Sequence, residues 1–170
     1  MNNPIIILGS SRSFGETRKA VDLIIGDRNI KIVDLGDLNI SLYDYEHNNK
    51  DDDYIPLMEE VTEHELIILA TPVYWYSMSA TMKIFIDRIS DLLTFRKDLG
   101  RKLRGKKLFV ISSFSTSMPQ GFEDAFSQTC EYLGMQYQGC SFIYNGNNID
   151  LLTNNKEQIE KAKVIICNKL

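Results

Sequence analysis

Residues 66–77 read LIILATPVYWYS. The first part, Leu66–Ala70, is apolar without alternation, the pattern of a strand buried on both faces. The second part sets Pro72 and Val73, then Tyr74, Trp75 and Tyr76, at the exit of that strand, and a helical pattern begins at Ser77. The only tryptophan and two of the eight tyrosines therefore crowd a strand-to-helix turn, where water should reach them. Packing or an oligomer contact would account for such rings; a flat ligand resting against them is the sharper reading.

Working outward, the same kind of run recurs as IIIL at 5–8 and LFVIS at 108–112. Strands are expected at Pro4–Leu8, Ile30–Asp34, Leu66–Ala70, Lys107–Ser112 and Gln138–Ile143, with helices at Glu16–Gly26, Pro56–His64, Ser77–Phe95, Gln120–Leu133 and Asn155–Asn168. Pro56 suits a first helical position, where its missing N–H does no harm. In the third helix Met78, Met82, Phe85, Ile86, Ile89, Leu92 and Leu93 form one apolar stripe, read as core with room for a subunit contact. Lys83 and Asp87, four apart, and Arg88 and Asp91, three apart, stand on a neighbouring stripe as structural ion pairs. Successive βα units imply an α/β fold: a three-layer α/β/α sandwich with a five-stranded parallel sheet, order 2-1-3-4-5, in a single domain over 1–170. The long polar stretch Gly36–Ile55 reads as a surface loop at the sheet edge, and loops of this length are usually functional or mobile.

Composition narrows the function. A net charge of −4 argues against a nucleic-acid binder, which needs a basic face. The basic run Arg96–Lys107, RKDLGRKLRGKK, reads as a solvated loop before a strand. Cys130, Cys140 and Cys167 are too far apart for a CxxC motif and odd in number for a disulfide framework, so reduced thiols in or near the core and a cytoplasmic setting are expected. The apolar run after Pro4 is too short for a signal peptide or a membrane span. His47 and His64 are the only histidines, and no triad or metal cluster is apparent.

In open parallel sheets, ligands bind beyond the carboxyl ends of the strands where the strand order reverses, here between strands one and three. The first loop there is GSSRSFGET, residues 9–17. It combines Gly9 and Gly15, the hydroxyls of Ser10, Ser11, Ser13 and Thr17, the guanidinium of Arg12 and the start of a helix, which together suit a phosphate. A plain Ser/Gly turn has a similar composition; the position after a buried strand favours the phosphate. GxxxxGK[ST] and GxGxxG are both absent, so the candidate ligand is a mononucleotide rather than a nucleoside triphosphate or a dinucleotide. Aromatic surface in the neighbouring loop then suits a planar heterocycle, and both together describe a pocket for flavin mononucleotide (FMN).

GSSRSFGETRKA followed by ATPVYWYSMSATMKIFIDR resembles the flavodoxin-like NAD(P)H-dependent FMN reductases and their quinone and azo-dye reductase relatives. The resemblance implies that Ser10, Arg12, Ser13, Gly15, Glu16 (through its backbone N–H) and Thr17 surround the FMN phosphate. It implies that Pro72, Val73, Tyr74, Trp75, Tyr76 and Ser77 border the ring and ribityl chain, with Pro72 fixing the turn. Ser113, Phe114, Ser115 and Thr116 would approach the ring from the other side. The activity implied is hydride transfer from NAD(P)H through FMN N5 to a quinone, azo compound, nitroaromatic or free flavin, in a homodimer or homotetramer. FMN carries that chemistry, so no catalytic side chain is required. A flavodoxin-type carrier of single electrons to a protein partner is the alternative, though such carriers tend to be more acidic and lack the PVYWYS pattern.

Overall fold

A computed structural model describes residues 3–146 and 150–167. Five strands, β1 (Pro4–Leu8), β2 (Lys31–Asp34), β3 (Leu66–Pro72), β4 (Lys107–Phe114) and β5 (Gln136–Tyr144), form one parallel sheet in the order β2-β1-β3-β4-β5. The flanking helices are α1 (Glu16–Ile25), α2 (Tyr54–Val61), α3 (Ala80–Asp87), α4 (Ile89–Thr94), α5 (Lys97–Lys102), α6 (Asp124–Leu133), α7 (Leu151–Asn154) and α8 (Lys156–Cys167). The expected end of the last helix at Asn168 lies outside the described residues.

Alternation along the buried strands divides the core in two. Ile5, Ile7, Ile67, Leu69, Leu108 and Val110 face α2 to α6, whereas Ile6, Leu8, Ile68, Ala70, Phe109 and Ile111 face α1 and α8. Apolar side chains of both parities are buried because helices cover both sheet faces, which is why the runs show no polar alternation. Between the pairs Leu108↔Tyr137 and Val110↔Cys140, β5 carries one residue more than β4; Gly139 takes a φ of 94° there, a conformation suited to glycine.

Four expectations change. The long third helix breaks at Arg88 into α3 and α4. The basic run is partly helical: α5 packs so closely on α4 that a Cβ on Gly100 would lie 2.3 Å from the Leu92 carbonyl oxygen, and Arg96 and Lys102 pair with Glu59 and Glu63 across to α2 and its end. Cys167 is exposed, while Cys130 and Cys140 are buried; burial pushes the Cys130 thiol up to about 12. The Gly36–Ile55 stretch is a strap docked on α3 and α4. Asp53 accepts from the N–H of Asn39, and Asp52 accepts from that of Ser41 and from the guanidinium of Arg88. Arg88 Nε also donates to Asp91 at 2.5 Å, and the guanidinium carbon lies 4.7 Å from the centre of the Tyr54 ring. Among the described residues no helix is long and apolar enough to cross a membrane.

Candidate functional site

β1, β3 and β4 are neighbours, so the loops at their carboxyl ends lie side by side. They enclose two adjoining clefts. One, of about 150 Å3, is lined by Ser10, Arg12, Gly15, Glu16, Thr17, Pro72, Val73, Tyr74, Ser113, Phe114, Ser115 and Asn145. The other, of about 220 Å3, is lined by Val73, Trp75, Tyr76, Phe114, Ser115, Thr116 and Ser117. Val73, Phe114 and Ser115 line both. Of the residues expected from sequence, Ser13 and Ser77 line neither.

The first loop ends at Gly15, the N-cap of α1, which supplies no side-chain cap. The first-turn N–H groups therefore keep their donor capacity, at the positive end of the helix dipole. Gly15 N–H donates to the Arg12 carbonyl, and a Cβ on Gly15 would lie 3.2 Å from that same oxygen, so the loop turns back on itself tightly. Glu16 directs its carboxylate to Lys19 Nζ at 2.7 Å, one turn along the helix. Thr17 Oγ1 lies 2.7 Å from Ser113 Oγ, a buried contact that ties this loop to β4.

The second loop differs from the expected turn at proline. Pro72 is the last residue of β3, buried and in register with Ser113, and Val73 N–H continues the ladder to the Ser113 carbonyl. The reversal follows at Tyr74–Ser77, closed by Tyr74 N–H to Ser77 O at 2.9 Å and Ser77 N–H to Tyr74 O at 3.1 Å. That is the role of Ser77, which acts through its backbone. Trp75 and Tyr76 have φ values of 49° and 66°, the signature of a type I′ turn usually built from Asn and Gly. Holding two bulky residues there costs on the order of 1–3 kcal/mol each. The turn leaves Trp75 94% exposed and Tyr76 64% exposed beside the cleft.

Asn145 is the lining residue that sequence reasoning missed. It follows β5, and its N–H donates to the Phe114 carbonyl at 2.8 Å, which brings its side chain to the cleft wall. Its Oδ1 is buried with no hydrogen-bond partner among the described residues. An amide oxygen in that state costs about 1–3 kcal/mol, which a ligand donor would recover. It stands in an Asn/Gly-rich stretch that reads as a turn; the signal was its place at a strand's carboxyl end, beside β4.

The arrangement offers free N–H donors and hydroxyls at one end, aromatic faces at the other, and an unpaired acceptor, Asn145 Oδ1, at the end of β5 beside β4. It can hold an anion and a planar heterocycle in one ligand, and these residues fit FMN on that ground. Among the described residues no group of three His, Cys, Asp or Glu is placed to hold a metal ion.

Comparisons with known proteins agree with the architecture. The structure superposes on that of the Trp repressor binding protein from Bacillus subtilis with a TM-score of 0.78 at 22% identity, covering 98% of this chain and 99% of that one. It superposes on an FMN-dependent NADH-azoreductase from Bacillus anthracis, solved in complex with FMN, with a TM-score of 0.70 at 12% identity, covering 98% and 100%. At such identities these matches establish the shared fold. In sequence, YwqN of Bacillus subtilis (strain 168), provisionally named an NAD(P)H-dependent FMN-containing oxidoreductase, is 32% identical over 97 residues, 52% of this chain and 51% of YwqN. The chain spans about half, or less, of the length of the curated relatives it matches. The model of the NADPH-dependent FMN reductase family matches residues 4–148, from the first residue of β1 past the cleft-lining Asn145. On that match the chain belongs to the NADPH-dependent FMN reductase family.

Proposed function

We propose that this chain is a single FMN-binding domain that oxidises NAD(P)H and passes the reducing equivalents to a small acceptor: a quinone, an azo compound, a nitroaromatic or a free flavin. The observation that carries the reading is the cleft itself, an uncapped helix start and an orphaned Asn145 oxygen on one side of Val73, and a strained, exposed aromatic turn on the other. When bound, FMN supplies the redox chemistry, taking a hydride equivalent from reduced nicotinamide and giving it up to the acceptor. The protein's part is to bind and orient. The first-turn N–H groups of α1, with Ser10, Arg12 and Thr17, hold the phosphate. Glu16 keeps its carboxylate on Lys19 and out of the way. Val73, Tyr74, Trp75, Tyr76, Phe114, Ser115 and Thr116 would border the ring.

Phe14, Trp75, Tyr76 and Met118 stand exposed on the loops around the site, which supports a homodimer or homotetramer covering it. The two buried free thiols suit the reducing cytoplasm. Sedimentation at micromolar concentration tests the assembly; an active monomer would refute it.

The activity is tested by loading purified protein with FMN and mixing it anaerobically with NADPH or NADH in a stopped-flow instrument. The expected result is loss of the oxidised flavin band and its return on adding a quinone or azo dye. FMN at a hundred times its Kd should also add about 2.7 kcal/mol to the unfolding free energy. No binding at millimolar FMN would refute the reading. Binding without bleaching by either nucleotide would refute the reductase and leave a carrier that serves a protein partner.

A further inference from the structure

The phosphate-side loop and the aromatic turn are separated by more than fifty residues in sequence, yet one ligand must reach both, and the buried side chain of Ser79 links the segments that carry them. Ser79 is 1% exposed. Its hydroxyl donates to the carbonyl of Gly9 at 2.6 Å and accepts from the N–H of Met82 at 3.1 Å. Its own N–H donates to Thr71 Oγ1 at 3.0 Å, while the Thr71 carbonyl accepts from Ser112 Oγ at 2.9 Å. Gly9 is also tied through its N–H to the Ala70 carbonyl. A Cβ on Gly9 would lie 2.9 Å from Met82 Cβ, so the start of the first loop rests directly on the first turn of α3.

Capping α3 accounts for only one of these bonds. A capping serine needs to accept from the helix; it has no need to donate to another strand's exit loop. The Gly9 bond ties the exit of β1 to the start of α3, one residue before Ser10 and two residues after the aromatic turn ends at Ser77. We propose that Ser79 is a positioning residue: it holds the Ser10–Thr17 loop and the Tyr74–Ser77 turn at a set separation, so that one ligand can engage both. The inference rests on the flavin reading of the cleft. A ligand held at two ends gains from the second contact only as far as the protein keeps the two ends in place. Loosening the clip should therefore weaken FMN, which uses both ends, much more than riboflavin, which lacks the phosphate.

The test measures FMN and riboflavin dissociation constants by fluorescence titration, with unfolding midpoints of the ligand-free proteins, for wild type, Ser79→Ala, Thr71→Val and Ser141→Ala. Ser141 is the control: its buried hydroxyl donates to the Gln158 carbonyl at 2.9 Å, away from the cleft. Thr71→Val keeps the shape and removes the acceptor for Ser79 N–H, so it serves if Ser79→Ala does not fold. The expected result is a rise of about tenfold in the FMN Kd for Ser79→Ala, a smaller rise for Thr71→Val, and a change under twofold for Ser141→Ala at a comparable loss of midpoint. Riboflavin should weaken by less than twofold throughout, and the visible circular dichroism of bound FMN should change in the clip variants alone. Equal FMN affinities for Ser79→Ala and Ser141→Ala, or equal losses of FMN and riboflavin, would overturn the role of Ser79. Wild type that binds no FMN would overturn the flavin reading and this inference with it.

Discussion

The cleft and the strap differ in where their costly groups find partners. At the cleft, α1 starts without a side-chain cap, Asn145 keeps an unpaired buried oxygen, and Trp75 and Tyr76 hold strained φ values with their rings in water. In the strap, Arg88 is fully buried yet engages the carboxylates of Asp52 and Asp91 and the Ser41 carbonyl, and His47 Nδ1 lies 3.2 Å from Asp91. None of the residues lining the two clefts comes from the strap. Each region departs from what an isolated chain segment would choose. The strap's buried charges are compensated inside the protein, so they mark structure, although Asn49 Oδ1 and the Tyr54 hydroxyl are buried there without a hydrogen-bond partner among the described residues and His47 holds a φ of 53°. The cleft's unpartnered groups and its strained turn converge on one concave surface, so they mark where something else binds.

The largest effect should come from breaking the compensated side. Arg88→Met leaves Asp52 and Asp91 buried without their cation, and removal of one partner from such a cluster costs about 3–5 kcal/mol. Urea denaturation of the ligand-free protein should show that loss as a lower midpoint. Adding Asp52→Asn and Asp91→Asn to Arg88→Met should recover most of it, because no uncompensated charge then remains. A cost below about 1 kcal/mol for Arg88→Met alone would mean that the strap is held by something other than these charges.

Much of this contrast was legible in sequence, unevenly. That β1, β3 and β4 are the inner strands, covered on both faces, follows from the runs at 5–8, 66–70 and 108–112, because burial on both faces leaves a local trace, and the order 2-1-3-4-5 is the common one for five such units. The Arg88–Asp91 ion pair was legible too, but its complete burial was not, because the spacing placed both residues on a stripe beside the apolar one. The other partner of Arg88, Asp52, was not legible, since the middle of Asp51-Asp52-Asp53 looks like its neighbours and only a contact 36 positions away selects it. The helical part of the basic run likewise depends on Gly100 meeting Leu92, a tertiary contact. At the cleft, residue types disclosed the loops but not the type I′ turn, whose central residues carry none of the usual turn chemistry.

A smaller effect of opposite sign tests the uncompensated side. Tyr76→Gly should relieve a positive φ of 66° and raise the stability of the ligand-free protein by about 1 kcal/mol. For a chain of this size that is a rise of about 2–4 °C in Tm. The same change removes a ring from the cleft and should weaken FMN by up to about tenfold. Higher Tm with weaker binding is the result expected of strain kept for a ligand. A lower Tm in the ligand-free protein would show that Tyr76 packs for stability, and the contrast between the two regions would fail there.

The smallest effect concerns acid. Burial raises the Asp52 carboxyl, but hydrogen bonds from Arg88 and from the N–H groups of Ser41 and Tyr54 hold it below the ordinary carboxylate value. A group whose folded pKa is depressed adds stability that is fully present above its unfolded pKa, about 3.9, and is lost as pH falls through the lower folded value. The strap should therefore loosen as pH falls below about 4, and the amides of Ser41 and Tyr54, which bond that carboxylate at 2.9 and 3.0 Å, should lose protection first. Hydrogen exchange at successive pH values, corrected for intrinsic rates, reads this directly. Asp52→Asn should flatten the pH dependence at those two amides while leaving that of Gly9 and Val73, bonded to the Ala70 and Ser113 carbonyls at the cleft, as it is in wild type. If all four amides lose protection together, the strap and the cleft open as one unit, and compensation inside the strap does not set its stability apart from that of the site beside it.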